Sequence, residues 1–470
     1  MQPSALKASP ATVQPLSPLT DADLAVARAL VARGDDAAAQ QAYLVLLARD
    51  PTHFQCLTEL AKLAYAGGFR SAARTAYEQA VLHHPGEPIG HVNLANVLRE
   101  SHEPLAAKQH YMAALECDPL FAAAHQGLAL ILAEEGDTAG ADWHRDQGFL
   151  DHAIVRRPYR GAGKAPSILL LVSARGGNIP TDIWLNDRRF DVTAIYADYF
   201  DPEAGFPPHD LVFNAIGDAD LCADALAGAM RICARTEKPV LNWPSRIAPT
   251  GRAETAVRLG SIPGVKTPNV RLLSSATIRA MRDIAFPVLV RRPGYHTGQH
   301  FHRIDTRIAL VATLDGLDRL GSGDLLLIDY MDARGADGMA RKYRVMFIDG
   351  ELYPLHLAIS HDWKVHYFTA AMADDAAFRA EEQRFLDDPA AIVGVEGLAA
   401  LRTIASRLEL DYAGIDFGLA ADGTILVFEV NATMVLIPPS ADPVWDYRRP
   451  VIGRAFDAVS RMLAGRLDRR

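Results

Sequence analysis

The chain has 470 residues, about three domain-lengths, so a single core is not expected. Hydrophobic content of 49%, charged content of 22% and mean hydropathy near zero exclude collagen-like, disordered and coiled-coil classes. A formal charge of −9 argues against a nucleic-acid binder held by phosphate contacts, and four scattered cysteines (Cys56, Cys117, Cys222, Cys233) argue against a disulfide framework or a cysteine zinc site. The first residues, MQPSALKASPATVQPLSP, show no basic start followed by an apolar run, and no run of 18 apolar residues occurs. A cytoplasmic protein with no membrane span is therefore expected.

After a tail over residues 1–19, the first organising feature is a repeat. Pro51, Pro85 and Pro119 lie 34 residues apart, and other columns share that register. Ala39, Ala73, Ala107 and Ala141 form one column, with Tyr43, Tyr77 and Tyr111 four residues later. Leu60, Leu94 and Leu128 form another, each followed by alanine, and Gly34, Gly68 and Gly136 mark turns between paired helices. Alanines let helices approach, aromatics fill the gaps, and proline ends the second helix of each pair. The pattern resembles the tetratricopeptide repeat, in four copies over residues 20–153. Such a superhelix offers a docking groove and no reactive centre. Residues 1–155 hold 10 Lys and Arg against 18 Asp and Glu, so nearly all the excess acidity is here. That suits a basic peptide or protein partner; a solvated acidic surface is the plainer alternative.

Residues 154–166, basic and rich in Pro and Gly, read as a linker. Ser167–Ser173, Asp191–Tyr196, Asp210–Ala215 and Pro239–Asn242 then read as short strands, with a helix over Leu221–Arg235. This rhythm predicts an open α/β layer over residues 167–245. Beyond it the texture is mixed. A helix is expected over Glu254–Leu259 and another over Ser274–Ile284, with strands at the end of Val265–Leu273 and over Pro287–Arg292, Leu325–Tyr330, Lys342–Ile348 and Glu351–Ala358. The helix Leu398–Leu408 precedes two strands, Tyr412–Leu419 and Thr424–Val430, joined by Asp422–Gly423. A last helix is expected within residues 441–470.

The final hairpin carries the candidate chemistry. Glu429 and Asn431 are two apart and point to one face, and Asp416 on the paired strand can sit beside them. Two carboxylates and an amide oxygen make a hard-oxygen site suited to Mg²⁺ bridging nucleotide phosphates; ordinary exposed strand polarity is the alternative. His296, His300 and His302 have spacing that could hold zinc but read better as phosphate or substrate contacts, and His356, His361, His366, Trp363 and Lys364 are candidates to line a substrate cavity. No GxSxG, Walker A or GxGxxG pattern occurs.

In order along the chain stand Val240–Pro244, the Thr267–Pro268 loop, PVLVRRPGYHTG (Pro287–Gly298), the strand LLLIDY, the strand pair from Lys342, and the Asp416…Glu429-Val430-Asn431 hairpin. This series resembles the ATP-grasp superfamily over roughly residues 166–440. The expected class is thus multidomain: an all-α repeat superhelix, an α/β layer, and an α+β ATP-grasp fold over residues 246–440. The resemblance implies ATP and Mg²⁺ as cofactors, with Asp416, Glu429 and Asn431 as metal ligands. It implies Arg291 and Arg252 where phosphate-reaching lysines are usual, and Pro293 to Gly298, with Gly294 and Gly298, as a flexible loop over the phosphates. Asp329 and Tyr330 would lie at the adenine hinge, and Arg344 would steady phosphate or a substrate carboxylate. Arginine in place of both lysines keeps the charge and changes reach and donor geometry. The implied activity is a carbon–nitrogen ligase working through an acylphosphate on a peptide or protein recruited by the repeats, or on a small metabolite. The alternative is a partner-binding scaffold whose nucleotide domain senses or is inactive. A homodimer is a further expectation by analogy.

Overall fold

In the computed structural model, which describes residues 19–293, 300–319, 323–365 and 370–468, the 34-residue columns become helix pairs. Residues 1–18 of the expected tail lie outside the described residues. The chain divides into two units, Met1–Gly148 and Phe149–Arg470.

The first unit contains α1 (Asp21–Arg33), α2 (Asp36–Arg49), α3 (Phe54–Ala66), α4 (Arg70–His83), α5 (Pro88–Glu100), α6 (Pro104–Cys117), α7 (Ala122–Glu135) and α8 (Thr138–Phe149). Local chemistry sets their ends. Thr20 and Asp23 form a capping box on α1, and Gly34 and Gly136 close α1 and α7 in the left-handed conformation. Pro88 and Pro104 open α5 and α6, where the missing N–H costs nothing. The four column alanines are at most 1% exposed and the three tyrosines are buried beside them. Gly127 is needed at its position: a Cβ there would stand 2.2 Å from Cζ of Tyr111.

The second unit begins with β1 (Ile154–Arg156), β2 (Ser167–Val172), β3 (Asp191–Tyr196), β4 (Leu211–Asn214), α9 (Ala223–Cys233) and β5 (Val240–Leu241). The sheet order is β1-β3-β2-β4-β5, with β2 to β5 parallel and β1 antiparallel at one edge. The stretch read as a linker therefore starts with an edge strand. Ile154 pairs with Ile195, and Arg156 reaches Asp191 at 2.9 Å, so the segment covers the open edge of β3.

Next come α10 (Pro244–Ile247), α11 (Arg252–Leu259), β6 (Val265–Lys266), β7 (Val270–Ser274), α12 (Ser275–Ala280), β8 (Val288–Arg291), β9 (Phe301–Ile304), α13 (Arg307–Asp318) and β10 (Asp324–Asp329). Strands β7-β10-β8-β9 form an antiparallel sheet, and Ile278, Leu310 and Leu314 share its small core with Val288, Val290 and Leu327. Helix α12 is shorter than the Ser274–Ile284 expected, because Met281 turns extended at ψ 131°.

The remainder holds β11 (Ala340–Ile348), β12 (Glu351–Ser360), α14 (Ala376–Asp387), α15 (Pro389–Leu408), β13 (Tyr412–Leu419), β14 (Ile425–Asn431) and α16 (Arg449–Leu467). Its sheet runs β12-β11-β13-β14-β6. Helix α14 was not read from the sequence; Asp375 caps it by accepting from the N–H groups of Ala377 and Phe378. By length and composition alone α15 could cross a bilayer, a feature that counting unbroken apolar runs misses. Leu401, Ile404 and Leu408 pack it into the core of this unit, and Gly394 at φ 78° interrupts it.

Asn242 explains the asparagine that ends β5. Fully buried, it donates to the carbonyl of Tyr412, accepts from its N–H, and takes a bond from Asn214 on its own carbonyl. One side chain thereby ties the parallel layer to the start of β13.

Candidate functional site

Strand register assembles the site. On β11 the alternation of Lys342, Tyr343 and Arg344 sends the two cations to one face and Tyr343 to the other, where it stacks on Phe417 and meets Phe385 edge-on. Arg344 is opposite His356 on β12 and Asp416 on β13, and Asp416 is opposite Glu429 on β14. One row across four strands thus carries an imidazole, a guanidinium and two carboxylates.

Contacts within the row are close. Arg344 Nε and Nη2 donate to the two oxygens of Asp416 at 2.6 and 2.8 Å, and Lys342 Nζ stands 3.0 Å from Oδ2. Glu429 Oε1 accepts from Arg252 at 2.6 Å and from the Asn431 amide at 2.9 Å, and Asn431 Oδ1 accepts from the Thr433 hydroxyl. Burial opposes the charge of Asp416, but Arg344 and Lys342 outweigh it and hold the carboxyl well below the usual carboxylate range. Burial likewise works against Glu429, and Arg252 turns the balance so that its pKa is lowered. Glu429 holds the Arg252 pKa raised. For the half-buried Arg291, loss of solvent first and the neighbouring charge of Arg252 second pull the pKa down to about 10. His356 is buried behind Arg344; burial first, and Arg344 second, push it well below its ordinary value, so it is neutral.

A cavity of about 170 Å³ opens beside this row. Its lining combines the charged groups Arg252, Arg291, Lys342, Asp416 and Glu429 with the apolar and aromatic side chains Leu289, Phe301, Tyr330, Val427, Phe428 and Trp363. The aromatic side chains are held by mutual contact. Trp363 meets Phe301 edge-on at 5.4 Å, Arg291 lies over the Phe301 ring at 5.5 Å, and Arg303 lies over Tyr330 at 4.5 Å. Asp329, at the end of β10, lines the cavity half-exposed, with Arg271 at 3.9 Å.

The structure thus brings together Arg252, Arg291, Asp329, Tyr330, Asp416 and Glu429 around one cavity. Asn431 reaches it through Glu429, and Arg344 sits behind Asp416, outside the lining. Gly294, Gly298, His296 and His366 lie outside the described residues. Of the aromatic and histidine group after β12, Trp363 and Lys364 line the cavity while His356 does not. The sequence reading missed Lys342, although its spacing from Arg344 on a strand was a usable signal. Among the described residues no group of three or more His, Cys, Asp or Glu is arranged to hold a metal ion. The hairpin offers two carboxylates and an amide, a donor set that suits Mg²⁺ in kind.

No protein-family model matches the sequence, and no curated protein matches it. Among solved structures the chain is similar to a crystal structure of MamA, at 20% identity over 26% of this chain and 72% of that one, with a TM-score of 0.25. It is similar to pilF of Pseudomonas aeruginosa at 20% identity, over 27% of this chain and 59% of that one, TM-score 0.26. It is also similar to a RimK domain protein ATP-grasp from Sphaerobacter thermophilus DSM 20745, at 16% identity over 64% of this chain and 99% of that one, TM-score 0.41. The helix pairs, the largely parallel layer, the antiparallel sheet and the mixed sheet described above are the fold class expected from the sequence.

Proposed function

We propose that the chain is an ATP-dependent ligase that joins a carboxylate to an amine through an acylphosphate, with the helical repeats recruiting a peptide or protein substrate. The observation that carries the reading is one cavity lined by both cations and aromatic rings. Arg252, Arg291 and Lys342 supply the charge, and Phe301, Tyr330 and Trp363 supply the ring faces. Cations for phosphates and rings for a base suit a nucleoside triphosphate.

In this reading Arg252, Arg291 and Lys342 bind the phosphates, and the Asp416–Arg344 pair fixes Lys342 at the cavity wall. The carboxylate oxygen of the substrate forms a bond to the terminal phosphorus as the bridge to the leaving diphosphate breaks. The amine nitrogen then bonds to the acyl carbon, the acyl–oxygen bond breaks, and inorganic phosphate and a proton leave. The fixed cations stabilise charge that builds on the transferred group. Asp416, Glu429 and Asn431 are the side chains that would hold Mg²⁺. The ion would neutralise phosphate charge and polarise the phosphoryl group when bound. Since Arg344 and Lys342 occupy the Asp416 oxygens, Glu429 and Asn431 are the more accessible of the three. The acidity of residues 1–155 supports a basic partner for the repeats.

Calorimetric titration with a non-hydrolysable ATP analogue and Mg²⁺ tests the reading. The wild-type chain binds, and Lys342→Met weakens binding by roughly tenfold to a hundredfold through loss of a charge-assisted contact. Absence of binding by the wild-type chain, in the presence or absence of the metal, removes the proposal.

A further inference from the structure

A second, smaller compartment adjoins the nucleotide cavity and shares its Arg252–Glu429 ion pair. Its volume is about 60 Å³, enough for a handful of heavy atoms. The two compartments differ in sign. The charged residues lining the larger one are Arg252, Arg291, Arg341, Lys342 and Lys364 against Asp329, Asp416 and Glu429. Those lining the smaller one are Asp218, Asp220 and Glu429 against Arg252 alone.

The acidic residues have structural duties. Asp218 accepts from the N–H groups of Asp220 and Leu221, and Asp220 accepts from the N–H of Arg252 at the start of α11. Those bonds explain the loop and do not explain the compartment. Thr255, one turn into α11, points to a ligand. It is only 5% exposed, it lines the compartment, and its buried Oγ1 has no hydrogen-bond partner. A buried hydroxyl is expected to find one, and leaving it unmade is costly.

We propose that this compartment receives the attacking amine as an ammonium group, with Asp218 and Asp220 as counter-charges and Thr255 Oγ1 as an acceptor; the ammonium gives up one proton to solvent by way of these carboxylates before its nitrogen attacks the acyl carbon, and the second proton leaves as the amide forms. An ammonium group carries three donors and no acceptor, which matches two carboxylates and a hydroxyl oxygen. Because both compartments share the Arg252–Glu429 bridge, an amine held here lies beside the cavity that would hold the acylphosphate. The role as acceptor substrate rests on the ligase reading above; the capture of a cation rests on the compartment alone.

The test uses the full chain, with butylammonium and its isostere of opposite charge, butyrate, titrated by saturation-transfer NMR. Butylammonium binds and butyrate does not. Asp218→Asn combined with Asp220→Asn, which keeps the side-chain acceptors of the loop, weakens butylammonium roughly tenfold or more. Thr255→Val weakens it about threefold to tenfold, and Thr255→Ser restores it. Affinity for the ATP analogue, measured on the Thr255 variants, stays within about threefold, because Thr255 Oγ1 bonds none of the phosphate-binding side chains. No butylammonium binding by the wild-type chain, equal binding of butyrate, or indifference to both the Asp and Thr255 variants overturns the proposal. So does displacement by Mg²⁺ that is independent of Thr255, which assigns the compartment to a metal ion. Butylammonium binding by a chain that binds no nucleotide sinks the ligase reading and the acceptor role with it.

Discussion

The two units bury polar side chains by different routes. In the helical unit the partners are near in sequence and recur. His91 meets His110, 19 residues on, with its other nitrogen on the Pro85 carbonyl; His125, His144 and Pro119 repeat the arrangement 34 residues later. In the sheet unit the partners are far apart. Arg344 and Asp416 are separated by 72 residues, Asn242 and Tyr412 by 170, Arg252 and Glu429 by 177. A helical repeat satisfies its interior locally, so each pair of helices carries its own solution. A sheet assembles polar groups by topology, and a charge far along the chain is what makes burial tolerable. The sheet unit therefore has more to lose from a single substitution.

The largest expected effect breaks a long-range pair away from the cavity. Glu382 is fully buried; its Oε2 accepts from Arg448 and from the Tyr447 hydroxyl, and its Oε1 from the N–H of Leu357. Burial raises the Glu382 pKa, and Arg448 opposes that rise. Arg448→Met leaves a buried carboxylate without its cation and should cost about 3–5 kcal/mol in urea unfolding. The loss should be greater at pH 8 than at pH 5, where Glu382 can take up a proton. Adding Glu382→Leu should recover most of it. A loss below about 1 kcal/mol would mean the long-range pairs are incidental to the stability of this unit.

The same contrast decides what could be read in advance. The repeats were legible because a 34-residue period places Ala39, Ala73, Ala107 and Ala141 in one column that needs no tertiary knowledge. Asp416, Glu429 and Asn431 were legible as a group because they share one hairpin and a strand alternates its faces. Lys342 was not, since its tie to Asp416 runs between strands 74 positions apart and its spacing from Arg344 was the one local hint. Nor was the behaviour of Arg344. The resemblance implied a ligand contact for it, and the fold commits its Nε and Nη2 to Asp416, behind the cavity wall. Asp218 and Asp220 belong to no sequence pattern, and only the fold brings them into one lining with Arg252 and Thr255.

A middle-sized effect probes the local side of the comparison. Gly127→Ala puts a methyl group 2.2 Å from the Tyr111 ring, whose hydroxyl donates to Asn96. The Tyr111 column must shift, and overpacking of this kind costs about 1–3 kcal/mol. Hydrogen exchange read by mass spectrometry should show faster opening of α5 to α8, with protection of β11 to β14 unchanged. Faster exchange in both units would show that the repeats do not resolve their packing locally.

The smallest effect is a slope with pH. The Pro85 carbonyl can only accept, so His91 carries its proton on Nε2 and its Nδ1 accepts from Nδ1–H of His110 at 3.1 Å. His144 and His125 are bound the same way at 2.8 Å. Burial, and then the neighbouring imidazole, lower the pKa of His110 and of His144; Glu78 and Asp137 oppose this and Lys108 adds to it. For a base whose folded pKa is depressed, the unfolded chain takes up the proton first. Stability is therefore full above the ordinary histidine pKa of about 6.5 and falls as pH drops from there toward the folded value. The slope is at most about 1.4 kcal/mol per pH unit for each group. Exchange of α5 to α8 amides, corrected for intrinsic rates, should show opening that eases between pH 7.5 and pH 5. His110→Phe with His144→Phe should flatten that dependence while leaving the pH response of the sheet unit as it was. A slope that survives both substitutions would place the titrating groups elsewhere and leave the paired imidazoles as packing alone.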